Sequence, residues 1–406
     1  MLTIKGGRPV RVKRWPQWPV YDEREIKALE DVVRSRYWGG GVAGSGPWEA
    51  EFERRFARYH GCRYGICVAN GTIALHVALL AAGIGEGDEV IVPDLTFWAT
   101  GSAVLMTGAT PIVVDVDPET CCLDVGKAEE AVTDKTKAII PVYNYGTAPD
   151  MDKLVKFAKE HDLVIIEDCA RGHGFMWGDK SAGSIGDMGC FSFQQGKFMT
   201  AGEGGMIVTN SEEYKEKCHA IKDCGRVRKG DKYSEGVLNW FNYRMTQFQA
   251  AVLLAQLDRF EEQLKTRQKN SEYLSKRLME IEGITPVKVD PRLTRHQPWP
   301  YAFKYDSSFF RNTSLERFIE ALNAEGIPCW RTEPPLHESL RPLKGTKAYR
   351  LYVEERDKAE ERYPVSVKAY YKELVELPQN IFLATEKDMD DIAEAIIKIQ
   401  KYADEL

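Results

Sequence analysis

From residue 65 onward, short apolar runs alternate with segments of helical spacing, and this restricts the fold more than any other feature of the chain. In order they read YGICVA, TIALHVALLAAG, EVIVP, AVLMTG, PIVVDV, KAIIPV, MDKLVKFAKEH, LVIIED and GCFSF. Several are apolar on consecutive positions, as strands covered on both faces must be. Interleaved with helical segments, they predict an α/β domain with a largely parallel sheet.

The rest of the chain is organised around that domain. Ile26, Leu29, Val32 and Val33 recur at helical spacing between Tyr21 and Arg36 and predict an amphipathic helix. It stops at Gly39-Gly-Gly-Val-Ala-Gly44, a formal G-x-G-x-x-G. That fingerprint needs a strand in front of it, and here a helix precedes, so a dinucleotide loop is not expected. Ser45, Gly46 and Pro47 read as a helix cap and first turn, with Gly61 marking that helix's end. From Tyr243 to Glu282 there is neither proline nor glycine, which predicts a long connecting helix up to Gly283. Beyond it, mixed signals and scattered prolines suit a smaller unit ending in the helix MDDIAEAIIKIQKYADEL. A chain of 406 residues exceeds the usual size of one core. Two domains are therefore expected: 1–260, a large α/β domain with an N-terminal arm, and 261–406, a small α+β domain.

Composition narrows the function classes. The formal charge of -6 comes from interspersed acids and bases, which argues against a nucleic-acid surface. The nine cysteines are an odd number with no C-x-x-C pair, so they read as reduced thiols and not as a zinc site. MLTIKGGRPVRVKRWPQWPV lacks the apolar centre of a signal peptide, and no later run reaches bilayer-spanning length. A soluble cytoplasmic protein that acts on small molecules, with no nucleic-acid, membrane or metal partner, is the expectation.

Ligands of open α/β sheets collect beyond the carboxyl ends of the strands. Three such ends carry chemistry: Asn70-Gly71-Thr72 before a helix, Asp168 after LVIIE, and the Ser192 to Lys197 segment of FSFQQGKFMTAGEGG. The last is not a Walker loop, because Phe191 and Phe198 stand where glycine and Ser or Thr are required. What remains is a lysine at a strand end in apolar company, where desolvation favours the neutral amine that attacks carbonyls. A pyridoxal phosphate site needs an amine, a carboxylate for the pyridine nitrogen, an anion cradle and an aromatic plate. Lys197, Asp168, Gly71 with Thr72, and Phe97 supply these parts in order, and Ser192 adds a hydroxyl to the cradle.

The motifs NGTIALHVAL, GDEVIVPDLTFWAT, GATPIVVDVDPET, IIEDCARGHG, FSFQQGKFMTAGEGG and NYRMTQFQAAVLLAQL resemble the DegT/DnrJ/EryC1/StrS aminotransferases over nearly the whole chain. The resemblance implies the fold-type I pyridoxal-phosphate transferase architecture, a mostly parallel sheet of the seven-stranded type plus a smaller C-terminal domain. It implies a homodimer that moves an amino group from glutamine or glutamate to a keto sugar or keto cyclitol. Lys197 then carries pyridoxal 5'-phosphate as a Schiff base and shuttles protons, and Asp168 pairs with the pyridine nitrogen. Phe97 covers the ring, and Gly71, Thr72 and Ser192 hold the phosphate. Asn242 reaches the phosphate of the neighbouring subunit, so the site is shared.

One position departs from the family. The third residue after the aspartate is usually histidine or glutamine, close to the ring hydroxyl of the cofactor, and here it is Arg171. The cation either pairs with that oxygen or turns to solvent. His173 is either a core residue or a replacement for the missing group. The opening RWPQWPVYDEREIKAL is similar to scyllo-inosose-type members and to aminohydroxybenzoate synthases. Nucleotide-sugar acceptors stay open through Arg226, Arg228 and Lys229, although a solvated loop is the preferred reading of those three. A relative without net amino transfer, such as a dehydratase, and a non-catalytic regulator are the rival classes. Lys197 argues against the sugar dehydratase branch, in which the resemblance implies histidine, and retention of both Lys197 and Asp168 argues against a regulator.

Overall fold

The computed structural model describes residues 1–40, 46–228, 230–233, 240–342 and 344–406. Six of the apolar runs form strands of the main sheet: β1 (Tyr64–Val68), β2 (Glu89–Pro93), β3 (Thr110–Val114), β4 (Thr136–Ile139), β5 (Val164–Asp168) and, after a ribbon of β6 (Met176–Trp177) and β7 (Lys180–Ser181), β8 (Met188–Ser192). With β9 (Gly205–Thr209) they make seven strands in the order β1-β9-β8-β5-β4-β2-β3. The pairs β2–β3, β2–β4, β4–β5 and β5–β8 are parallel. Only β9 runs against its neighbours β8 and β1. The sheet is therefore mostly parallel, as expected, and β1, β2, β5 and β8 all end on one edge.

Helices cover both faces, as a parallel sheet requires. They are α1 (Glu23–Ser35), α2 (Pro47–Tyr59), α3 (Gly71–Ala81), α4 (Ala99–Met106), α5 (Val125–Ala131), α6 (Met151–Glu160) and α7 (Glu212–Lys222). In α3 seven of eleven residues are buried, including Leu75, Val77 and Leu79, so it is a helix enclosed on most sides. α2 begins at Pro47 with Gly46 at the cap, and Gly61 follows its end at a φ of 67°. Ser45 and most of the G-x-G-x-x-G segment lie outside the described residues. In α1 only Val32 of the four apolar positions is buried, while Ile26, Leu29 and Val33 stay exposed.

The connecting helix α8 (Gln247–Leu278) has 32 residues and is shorter than its proline- and glycine-free run. Its start is fixed by a reciprocal cap: Thr246 accepts from the Gln249 N–H, and the Gln249 side chain accepts from the Thr246 N–H. α8 runs through the proposed division at 260/261, giving Phe260 and Leu264 to one core and Leu274 and Leu278 to another. That second core lies on an antiparallel sheet of order β10-β12-β14-β13. Its strands are β10 (Ile284–Pro286), β12 (Tyr301–Tyr305), β13 (Trp330–Arg331) and β14 (Leu374–Leu377), covered by α9 (Leu315–Ala324) and the C-terminal helix Glu386–Lys401. The remaining strand, β11 (Leu293–Arg295), pairs with β6 and ties the second half of the chain to the first. Among the described residues, no helix is long and apolar enough to cross a membrane.

Candidate active site

A cavity of about 680 Å³ opens at the common carboxyl edge of the main sheet. Gly71, Thr72, Phe97, Asp168, Arg171, Ser192 and Lys197 all line it. Asn242 does not; it is exposed, and its backbone bridges to Asp223.

The start of α3 forms one side of the cavity. Asn70 caps the helix by accepting the Ile73 N–H at 2.9 Å. The Gly71 and Thr72 N–H groups have no protein partner among the described residues. Free N–H groups at the positive end of a helix favour an anion, and Ser192 at the end of β8 stands beside them. The approach is close enough to require glycine: a Cβ on Gly71 would lie 2.7 Å from the Ser192 Cβ. Behind it, a Cβ on Gly205 would lie 2.3 Å from the Asn70 carbonyl oxygen, which explains one glycine of the AGEGG turn.

Asp168, the last residue of β5, is 5% exposed. Burial pushes its carboxyl above the usual value. Opposing this, Oδ1 accepts the Ala170 N–H at 3.1 Å and Oδ2 accepts the Thr100 hydroxyl at 2.8 Å, with Lys197 and Arg171 adding positive potential. Thr100 Oγ1 is in turn 3.0 Å from Thr96 Oγ1. Lys197 forms no ion pair among the described residues, so Asp168 does not neutralise it directly. Desolvation, with Arg171 adding to it and Asp168 pulling against it, lowers the amine to about 7. Near neutral pH a large share of Lys197 is thus uncharged and nucleophilic.

Phe97, in the turn between β2 and α4, is 39% exposed at the cavity wall. Arg171 is half-buried and faces the cavity, donating from Nη1 to Asn144 Oδ1. His173 lies in the core at 0% exposure, its ring edge-on to Phe56, Phe191 and Phe198, and burial holds it well below the usual histidine value. It is therefore a core residue. Of the basic loop, Arg226 is ion-paired with Asp223 and Arg228 contacts His219. Lys229 lies outside the described residues.

Several residues of the site escape sequence reasoning. Thr100 sits within the quoted PDLTFWAT block, one helical turn after Phe97, so the spacing offered a signal. Asn144 falls in TKAIIPVYNYG, a further run that resembles the family, although nothing there linked it to Arg171. Trp299 and Glu333 had no signal, since only the fold brings them to the cavity.

The sequence matches the DegT/DnrJ/EryC1/StrS aminotransferase family over residues 19–397. It is 35% identical to the L-glutamine:2-deoxy-scyllo-inosose aminotransferase of Streptoalloteichus tenebrarius, covering 100% of this chain and 99% of that one. It is 34% identical to the L-glutamine:scyllo-inosose aminotransferase of Streptomyces griseus, covering 98% and 97%. Among solved structures, 3-amino-5-hydroxybenzoic acid synthase superposes with a TM-score of 0.85 at 31% identity, over 98% of this chain and 100% of that one. The chain belongs to the DegT/DnrJ/EryC1/StrS aminotransferase family.

Proposed function

We propose that this aminotransferase moves an amino group from L-glutamine to a keto cyclitol of the scyllo-inosose type, using pyridoxal 5'-phosphate. The observation that carries this reading is the end-to-end likeness to two relatives whose names state that donor and that class of acceptor. The residues present fit the cofactor by their chemistry. Two free N–H groups and a hydroxyl suit its phosphate, a buried carboxylate suits its ring nitrogen, and an unpaired, readily neutral amine suits its aldehyde. When bound, the cofactor supplies an electron sink for the carbon that carries the amino group.

In this reading Gly71, Thr72 and Ser192 fix the phosphate, Phe97 lies over the ring and Asp168 holds the proton on the ring nitrogen. Lys197 anchors the cofactor, and its amine then takes the proton from the donor's α-carbon. Asn242 serves the phosphate of a neighbouring subunit in a homodimer. Its exposure away from its own cavity supports that role, as do the exposed apolar residues Ile26, Leu29 and Val33.

Addition of L-glutamine to the protein with pyridoxal phosphate is expected to change the absorbance of the bound cofactor. Scyllo-inosose or its 2-deoxy form is then expected to restore it. A spectrum that glutamine leaves unchanged, or that only nucleotide-linked keto sugars restore, would overturn the assignment. Likeness to 3-amino-5-hydroxybenzoic acid synthase supports a second reading without net amino transfer, and the same titration separates the two.

Thr100→Val tests how Asp168 keeps its charge. The swap preserves shape and removes one hydrogen bond to the ionised carboxylate, so the folded Asp168 value rises further. The acid limb of the kcat/KM profile is expected to move to higher pH. A loss of about 10- to 150-fold is expected on the acid side, the range for a hydrogen bond to a charged group. An acid limb that stays in place would mean that Thr100 does not hold the charge.

A further inference from the structure

Among the described residues that line the cavity, Arg171 is the only cation besides Lys197. Its guanidinium is permanently charged and offers five N–H donors in a rigid fork. One nitrogen, Nη1, is used on Asn144, and no carboxylate of the described residues pairs with the group. This is unusual, because Asp168, Glu203 and Glu333 line the same cavity and Glu376 feels its charge. Asp168 is held by Ala170 and Thr100. Glu333 lines the cavity without an ion pair. Glu376, at 2% exposure, accepts from Trp330 Nε1 at 2.8 Å and is steadied by the Thr332 hydroxyl. Burial raises Glu376 to about 7 even against the pull of Arg171.

The guanidinium is also held still. Asn144 is 2% exposed and sits in a tight turn, exchanging backbone hydrogen bonds with Thr147 at 3.2 and 2.8 Å. Its Oδ1 also accepts the Tyr145 N–H at 3.1 Å. A charged fork placed by a rigid neighbour, facing a cavity with donors to spare, is what recognition of a carboxylate requires.

Resting on the glutamine reading above, we infer that Arg171 binds the α-carboxylate of the amino donor. A keto cyclitol carries no carboxylate, so the guanidinium distinguishes the two substrates that take turns in one cavity. The hydroxyls of the polyol instead find acceptors such as Glu333. Arg171 is on this account a specificity residue for the donor half of the reaction.

The test compares wild type, Arg171→Gln and Arg171→Lys, all loaded with pyridoxal phosphate. Calorimetry measures binding of glutarate monoamide, which is glutamine without its amino group and cannot react. Arg171→Gln is expected to weaken that binding by about 10- to 150-fold and to raise the KM for L-glutamine by a similar factor. The KM for scyllo-inosose should stay within about threefold, because a neutral ligand gains no ionic contact from the guanidinium. Arg171→Lys is expected to recover part of the loss, as a charge without the fork. With 4-aminobutanamide, a donor lacking the carboxylate, wild type and Arg171→Gln should show the same KM, while kcat carries the effect of removing a positive charge from beside Lys197. Equal losses for donor and ketone would overturn the proposal. So would a changed affinity for pyridoxal phosphate with unchanged binding of the monoamide, which would place Arg171 on the ring oxygen. If glutamine fails to react with wild type but the monoamide still binds through Arg171, the carboxylate subsite stands and the glutamine reading falls.

Discussion

Lys197→Ala is expected to lower the rate of amino transfer by at least about 10²- to 10⁴-fold, the contribution of a positioned acid–base group. Losing the anchor for the cofactor deepens that loss. The same substitution has a second effect that does not depend on turnover. In the cofactor-free protein, the folded state releases the Lys197 proton at about 7, whereas the ordinary lysine value is 10.5. Between those values the unfolded chain binds more protons than the folded one, so stability rises with pH across the window. Below about 7 both states are protonated and the cost of the buried charge is present in full. Each pH unit within the window contributes up to about 1.4 kcal/mol. Urea unfolding of the cofactor-free proteins at pH 6.5, 8.5 and 10 should therefore show wild type gaining on the alanine variant as pH rises. Parallel stability curves for the two proteins would mean that the amine is not depressed, and would remove the basis for its role.

The main sheet was legible because strands buried on both faces are apolar on consecutive positions, and six such runs became β1, β2, β3, β4, β5 and β8. Once those strands were placed, the rule that ligands collect at carboxyl ends was enough to bring Gly71, Asp168, Ser192 and Lys197 to one edge. The second sheet was not legible to the same degree. β13 has two residues and β10 three, too short for alternation to register, and prolines interrupt the segments around them. The site residues that come from there, Trp299 and Glu333, depend on how the two halves of the chain meet, which β11 and β6 help to fix. A periodic pattern also does not say what covers it. The apolar stripe of α1 was read correctly, yet Ile26, Leu29 and Val33 remain on the surface of the single chain. Arg171 shows the same limit at the site, since its side chain is directed by Asn144, a residue 27 positions away that no local signal links to it.

Asp168→Asn should make the cofactor-free protein more stable and the enzyme far slower. Burial raises the folded carboxyl above its ordinary 3.8, so the ionised form is a cost to the fold. At pH values below the unfolded value both states are protonated and the cost is absent. Above the raised folded value it is present in full, so stability falls as pH rises between the two. A neutral amide of the same shape has no such penalty, and Thr100 can turn its hydroxyl to suit the new group. The variant is therefore expected to match wild type in acid and to exceed it in stability at pH 7. Amino transfer moves the other way, because the amide cannot hold a proton on the ring nitrogen by charge. A loss of about 10²- to 10³-fold is expected, the range for removing one preorganised electrostatic group. The anion cradle and Lys197 are untouched, so binding of pyridoxal phosphate, read by absorbance, should persist. Opposite movement of stability and rate would identify Asp168 as a charge that the fold tolerates for the chemistry. If Asp168→Asn instead lost stability at pH 7 while transferring amino groups at the wild-type rate, the carboxylate would belong to the scaffold, and another group would have to serve the ring nitrogen.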